Sequence, residues 1–239
     1  EQRMLGTPTG FYNLVIGEAS GKYVGAGHTE GGQEKVLKFR LLCDEQEIEP
    51  VIGQVYSGKK IVLEKESQLL QTVFLSRITM TPEGIIEQKR FRTLAPQSFY
   101  YLYLYQYCFD KATTDYAAMT ADGKLRTGEF DGNFTGSNRW HLNSDVKWTA
   151  ILDRHSGHGL LLYYPQIIKG ASRKSAFWEV KNAYNKYYLM GAMPDQPAGY
   201  VSPLYTAIIR GFKAGAEDLS ATAASLAEQT ASFPVPECP

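Results

Sequence analysis

The chain has 239 residues, of which 44% are apolar and 21% charged, a balance that builds a core and excludes a disordered protein. Its 25 basic and 25 acidic residues cancel, which argues against a nucleic-acid partner, whose binding face leaves a basic excess, though not against a local basic groove. No stretch approaches the roughly 18 apolar residues of a membrane-spanning helix, and a chain this long is commonly a single all-β domain.

The first 34 residues read as a glycine-rich lead-in ending in Gly25-Ala26-Gly27-His28-Thr29-Glu30-Gly31-Gly32. The start, Glu1-Gln2-Arg3, lacks an initiator Met and a leader pattern, as a processed or trimmed chain would. Strand signals follow. Val36 to Leu42 alternates Leu37, Phe39 and Leu41 with Lys38 and Arg40, and Leu70, Phe74, Ile78 and Met80 mark one face of a longer strand. Pro82-Glu83-Gly84 is a hairpin turn into Ile85-Ile86 and the basic run Lys89-Arg90-Phe91-Arg92.

The next strand is the most informative. From Phe99 to Phe109 it reads Phe-Tyr-Tyr-Leu-Tyr-Leu-Tyr-Gln-Tyr-Cys-Phe. Strict alternation puts Tyr101, Tyr103, Tyr105 and Tyr107 on one face and Leu102, Leu104 and Cys108 on a core face. Four rings in a row, each ending in a hydroxyl, suit a sugar, which offers flat apolar faces and polar edges. The competing reading is a second buried layer.

Residues 110 to 139 read as a polar stretch with turns at Asp122-Gly123, Asp131-Gly132 and Gly136-Ser137-Asn138. Lys147 to Leu152 alternates again, and the turn 153–159 joins it to Leu160-Leu161-Leu162-Tyr163-Tyr164. A strand from Phe177 to Met190, a loop with Pro194 and Pro197, and a strand from Leu204 to Phe212 follow. Helical period appears only at Leu219, Ala223, Leu226 and Ala227, predicting one short helix near 214–230. Without a linker or a fixed repeat, these signals predict an all-β protein: one domain over 1–239, a large antiparallel two-sheet sandwich with a C-terminal helix.

Nucleotide-binding glycine loops, the zinc-protease His-Glu-x-x-His and the Gly-x-Ser-x-Gly elbow are all absent from the sequence. Cys43, Cys108 and Cys238 lack metal spacing and allow at most one disulfide. Four sets of polar residues remain. The turn after Leu152 offers Arg154, His155 and His158, where histidine suits proton transfer near neutral pH. Strand alternation places Trp178, Asn182, Tyr184, Lys186 and Tyr188 on one face, where a neighbouring cation lowers a phenol pKa toward that of a base. Arg139 and His141 flank Trp140 and share a face, and His28 sits among glycines. Asp131-Gly132-Asn133 offers oxygens suited to calcium but lacks the EF-hand spacing, so no cofactor is expected.

Through Lys147-Trp148-Thr149-Ala150-Ile151-Leu152, the His155/His158 turn, Gly159-Leu160-Leu161-Leu162, Phe177-Trp178 and the closing strand, the chain resembles the galactose-mutarotase-like β-supersandwich families over roughly residues 30 to 230. The resemblance implies a concave, sugar-binding sheet and a carbohydrate ligand. It also implies a histidine pair, here His141 and His155, with a late carboxylate for which Glu179 is the nearest candidate. Similar sandwiches occur in polysaccharide lyases and beside the catalytic domains of larger enzymes. The leading expectation is therefore action on an acidic polysaccharide by β-elimination. Arg139 or Arg154 neutralises the uronate, His141 or His155 is the base, and Tyr184 or Tyr188 the acid. The tyrosine row, Trp178, Lys186, His158 and His28 bind substrate in that scheme. A glycosidase would need two facing carboxylates, which the sequence does not pair. A non-catalytic carbohydrate-binding or structural sandwich and a mutarotase-like epimerase are the alternatives. A secreted or periplasmic location is expected for such a protein.

Overall fold

The computed structural model describes residues 11–12, 14–25, 34–167 and 175–236. In chain order the strands are β1 (Phe11–Tyr12), β2 (Val15–Gly17), β3 (Tyr23–Gly25), β4 (Lys35–Cys43), β5 (Gln46–Ile48), β6 (Ile61–Leu69), β7 (Thr72–Thr81), β8 (Gly84–Thr93) and β9 (Gln97–Asp110). They continue as β10 (Asp115–Thr120), β11 (Leu125–Glu129), β12 (Asn138–Ser144), β13 (Val146–Asp153), β14 (His158–Tyr163), β15 (Ser175–Val180), β16 (Tyr184–Gln196) and β17 (Tyr205–Lys213), followed by the helix α1 (Leu219–Ala231). All the strand pairs are antiparallel. One sheet runs β12-β15-β16-β9-β2-β3 with β1 also on β9; the other runs β11-β10-β13-β14-β17-β8-β7-β6-β4-β5. The predicted sandwich with one late helix is the fold observed.

Three local expectations change. The lead-in contributes β2 and β3 to the seven-stranded sheet, and the polar stretch holds β10 and β11. The single strand predicted from Phe177 to Met190 is two, β15 and β16, turning at 181–183 with Asn182 in the left-handed region (φ 61°). Asn182 therefore leaves the face it was assigned to. Short strands in polar sequence were missed because their pairing partners, rather than their own apolar content, hold them.

Between the sheets lies a core of Leu14, Ile16, Phe74, Phe91, Phe99, Leu102, Leu104, Tyr105, Tyr107, Phe109 and Phe177, among others. The row of four tyrosines does not survive intact. Leu189 pairs with Tyr105 but Met190 pairs with Tyr103, so Leu104 is an extra residue on β9, a β-bulge. Past a bulge, alternation changes phase. Leu104 and Tyr105 both point inward, Tyr107 and Phe109 follow, and Cys108 turns to the outer side instead of the core face predicted for it. Only Tyr101 and Tyr103 remain outside.

The buried phenols join a polar network. Lys89 Nζ lies 2.7 Å from Glu87 Oε1, both side chains almost wholly enclosed. Lys89 also donates to the Leu104 carbonyl at 2.8 Å and sits 4.4 Å from the Tyr105 ring centroid. Tyr107 donates to Glu87 Oε2 at 2.6 Å and Tyr105 to the Glu87 carbonyl at 3.2 Å. Tyr164 donates to the Tyr187 hydroxyl at 2.8 Å, and Ser175 Oγ lies 2.7 Å from the same oxygen. On the far side of the ten-stranded sheet, Leu219, Ala223 and Ala227 of α1 pack on Ala117, Trp148, Ala150, Leu152 and Leu161.

Burial holds the Tyr105, Tyr107 and Tyr164 phenols well above their ordinary value and pushes Tyr187 and Tyr205 up to about 12. An unfolded tyrosine ionises near 10. Above that pH the native state retains protons that the unfolded chain has lost, so stability present below pH 10 is lost as pH rises toward 12, by up to about 1.4 kcal/mol per pH unit for each phenol. Lys89, whose pKa burial lowers, works in the opposite direction, but it is one group against five. Urea unfolding at pH 8, 10 and 11 is expected to show a midpoint falling steeply only above pH 10, and a flat profile would contradict the burial of these rings.

Candidate functional site

Strand alternation alone assembles the outer face of the seven-stranded sheet. On β16 the inward positions go to Asn185, Tyr187 and Leu189, leaving Tyr184, Lys186, Tyr188 and Met190 outside. The register carries that line sideways: Lys186 pairs with Trp178 of β15, Trp178 with Trp140 of β12, and Met190 with Tyr103 of β9. The rings touch in sequence. Trp140 and Trp178 stack at 5.9 Å, Trp140 meets Tyr188 at 5.7 Å, and Tyr188 meets Tyr103 at 5.2 Å. Tyr103 lies parallel to Tyr101 at 6.5 Å, and Tyr23 of β3 stacks at 6.0 Å on Tyr101 and 5.9 Å on Tyr103.

Gly17 of β2 lies under this end. A Cβ there would come 2.9 Å from Tyr101 Cδ2 and 3.0 Å from Tyr23 Cε1, so glycine is what lets both rings lie across the strand. Trp140 is 49% exposed and Tyr23 37%, while Tyr188, at 7%, forms the floor. Lys186 Nζ lies 5.0 Å from the Tyr188 ring centroid. Beyond Tyr101 the row opens into a cleft of about 520 Å³ lined by Ser98, Tyr100, Tyr101, Ala192 and Pro194, within the ~300–1,000 Å³ usual for organic ligands. Burial pushes the Tyr184 phenol up, the reverse of the lowering expected from a neighbouring cation, and leaves it a poor base at neutral pH.

The other predicted site residues lie elsewhere. Tyr105 and Tyr107 are in the core. Arg139 and His141 do share a face, as expected, but it is the one opposite Trp140, on which His141 is enclosed while Arg139 stays exposed. His141 Nε2 is 2.7 Å from Glu179 Oε2, with the rings of Tyr116 and Phe130 around it at 5.7 and 5.2 Å. The other Glu179 oxygen accepts the Gly132 amide at 2.7 Å, so this carboxylate ties β12 and the loop that precedes it to β15. A cavity of about 170 Å³, lined in part by Lys111, Asp131, Glu179 and Asn185, reaches it.

Arg154, His155 and His158 belong to the β13–β14 turn of the other sheet. Arg154 donates through Nε to Asp115 at 2.9 Å and through a terminal nitrogen to Glu129 at 2.8 Å. Those hydrogen bonds, Asp115's first, raise the guanidinium pKa further and commit it to its neighbours. His155 donates its amide to Asp153 and Ser156 its hydroxyl to the same carboxylate. Among the described residues no hydrogen bond, ion pair or ring contact joins His155 to His141. His28 lies outside the described residues. Asp131 accepts the Asn133 amide in a turn, and among the described residues no three His, Cys, Asp or Glu side chains gather as metal ligands. Sequence reading missed Tyr23 and Gly17, which carry no signal of their own in a glycine-rich segment, and weighed Trp140 only as the residue between two polar ones.

No family model matches the chain, and no curated protein matches it in sequence. Solved structures do. The galactosidase domain of an α-galactosidase–sucrose kinase superposes over 85% of the chain with a TM-score of 0.52 and 9% identity. An α-galactosidase from Lactobacillus brevis superposes over 86% with a TM-score of 0.51 and 12% identity. The chain spans 30% and 31% of those two proteins. A galactose mutarotase-like protein from Lactobacillus casei ATCC 334 also matches, with a TM-score of 0.46 and 9% identity over 88% of this chain and 83% of its own. Structures of that description are thus among the matches, in keeping with the resemblance read from the sequence. Likeness at such identities is one of fold, and for the fold it is the two α-galactosidases that count.

The split of the tyrosine row has a measurable consequence. Tyr107→Ala is expected to cost about 3–5 kcal/mol of stability, as large aromatic truncations in cores do. Tyr101→Ala, on the open face, is expected to cost less than about 1 kcal/mol. Thermal or urea unfolding of the two variants checks the order, and equal losses would place both rings in one layer.

Proposed function

We propose that the protein binds carbohydrate on the outer face of the seven-stranded sheet, with Tyr23, Tyr101, Tyr103, Trp140, Trp178 and Tyr188 as the platform. The observation that carries this is the continuous row of rings across four neighbouring strands and β3, exposed at Tyr23 and Trp140, partly exposed at Tyr101, Tyr103 and Trp178, floored by Tyr188 and ending in a cleft. Sugar C–H faces pack on aromatic rings and sugar hydroxyls bond phenols and amines. An apolar patch kept on a surface marks an interaction site. The fold is also found in proteins described as α-galactosidases, which supports a carbohydrate ligand while leaving their chemistry with them. Lys186 at the centre favours an acidic polysaccharide over a neutral one.

Binding without chemistry fits this face better than β-elimination. A lyase sets a cation, a base and an acid around one sugar. On this side Lys186, Tyr184 and Tyr188 are present, but His141 and Arg139 are on the other side of the sheet, and His155 and His158 are in the other sheet. An array screen of neutral and acidic glycans should find a ligand. Trp178→Ala and Tyr103→Ala should each weaken it about fivefold or more, as truncation of a buried aromatic anchor does, with little change in melting temperature. Absence of any bound glycan, or indifference to both substitutions, would remove the reading.

One observation favours a second reading, a mutarotase-like epimerase: His141 and Glu179 form a histidine–carboxylate pair, the kind of group that moves a proton at a sugar's anomeric oxygen. That reading expects the wild-type protein to speed interconversion of aldose anomers, followed by NMR, and His141→Ala to lose the acceleration. A wild-type rate equal to buffer would dismiss it.

A further inference from the structure

The basic run Lys89-Arg90-Phe91-Arg92 has no part in the aromatic face, and strand alternation divides it. Lys89 and Phe91 enter the core. Arg90 and Arg92 leave by the opposite surface of the ten-stranded sheet, on the half that α1, packed against β10, β13 and β14, does not cover. Residues i and i+2 of a strand stand about 6.6 Å apart on one face, so both guanidinium groups can reach a single ligand group.

Of the neighbouring cations on this surface, Arg40 and Arg77 are already engaged. Arg40 lies 3.0 Å from both Glu47 and Glu64, and Arg77 lies 3.5 Å from Glu64. Arg90 differs in that no ion pair engages it among the described residues, whereas Arg77 has Glu64; the Arg90 Nε is buried and takes no hydrogen-bond partner. Arg92 is half-exposed and reaches Glu66 only at 3.8 Å. Both line a cleft of about 190 Å³ with Glu66, Val73, Leu75 and Val201. Two arginines against one carboxylate leave the cleft net positive. A buried N–H donor without an acceptor is costly, and an oxyanion supplies the missing acceptor through the planar guanidinium fork.

We propose that this cleft binds the oxyanion of a small organic molecule, a carboxylate or a phosphate or sulfate ester. Arg90 and Arg92 hold the anion, and Val73, Leu75 and Val201 lie against the apolar side of its carrier. The volume, below that of pockets for drug-sized ligands, suits one anionic group and the ring or chain beside it. The site is on the other sheet and stands independently of the aromatic face.

Calorimetric titration of the full chain with glucuronate, glucose 6-phosphate, inorganic phosphate and glucose tests it. At least one of the two sugar anions is expected to bind, tighter than glucose or inorganic phosphate, and more weakly as salt is added. Arg92→Gln, at an exposed position, should weaken binding about tenfold or more and Arg90→Gln at least as much, with Arg90→Lys intermediate because it keeps the charge but loses the fork. The titrations are made in the Trp178→Ala background, which removes the aromatic platform from the readout, and the same dependence on Arg92 is expected there. Circular dichroism and a melt verify folding, and if Arg90→Gln does not fold, Arg92→Gln alone decides. In that background, binding of neither sugar anion at millimolar concentration, equal binding of glucose, or unchanged affinity in Arg92→Gln would each overturn the proposal. Inorganic phosphate binding as tightly as the sugar anions would overturn its assignment to an organic ligand.

Discussion

The ion pair of Glu87 and Lys89 is the constraint around which the two sheets are arranged. Both charges lie inside the sandwich, where an unpaired ion costs several kcal/mol and removing one partner of a buried pair typically costs 3–5 kcal/mol. Each charge is therefore surrounded by partners from the facing sheet. Lys89 takes the Leu104 carbonyl and the face of the Tyr105 ring. Glu87 takes the Tyr107 hydroxyl. The bulge, the inward turn of two tyrosines and the buried pair are one solution: without the extra residue at Leu104, Tyr105 and Tyr107 would point outward and the pair would lose its hydrogen-bond partners.

The same bulge decides what the outer face can be. Because the phase of β9 changes at Leu104, Tyr101 and Tyr103 stay outside and continue the line of Trp140, Trp178 and Tyr188 from the other strands. The platform thus has contributions from β3, β9, β12, β15 and β16. A surface assembled on paired strands has little freedom to collapse, so its rings remain presented rather than folding in on one another. His141 and Arg154 are elsewhere and are bound to structural neighbours, His141 to Glu179 and Arg154 to Asp115 and Glu129. This separation is why recognition is the function the face supports best.

The likeness to parts of α-galactosidases, at 9% and 12% identity, fits a sandwich that hosts different roles. A fold of this kind sets where faces and turns lie and leaves chemistry to the residues placed on them. The two surfaces of interest here are on the outsides of different sheets. One is aromatic and nearly uncharged, the other is basic and partly unpaired, and the α1 helix seals most of the surface between the basic cleft and the far edge of its sheet.

The amino-acid sequence by itself determined the class of the fold, because period-two alternation at Val36–Leu42, Lys147–Leu152 and Leu204–Phe212 needs no partner to be seen, and the late 3.6-residue period at Leu219, Ala223 and Ala227 is equally local. It also determined the outward set Tyr184, Lys186 and Tyr188, where the strand is regular up to the bulge. Tertiary structure alone decided the rest. A bulge is a property of a pair of strands, so nothing in the sequence of residues 99 to 109 says that alternation breaks at Leu104. The polar β11 and the short β2, β3 and β10, which lie in glycine-rich or polar stretches, are held in place by the strands they pair with. Whether His141 faces solvent or core depended on which side of β12 the second sheet came to cover, a choice made by packing across the sandwich and invisible along the chain.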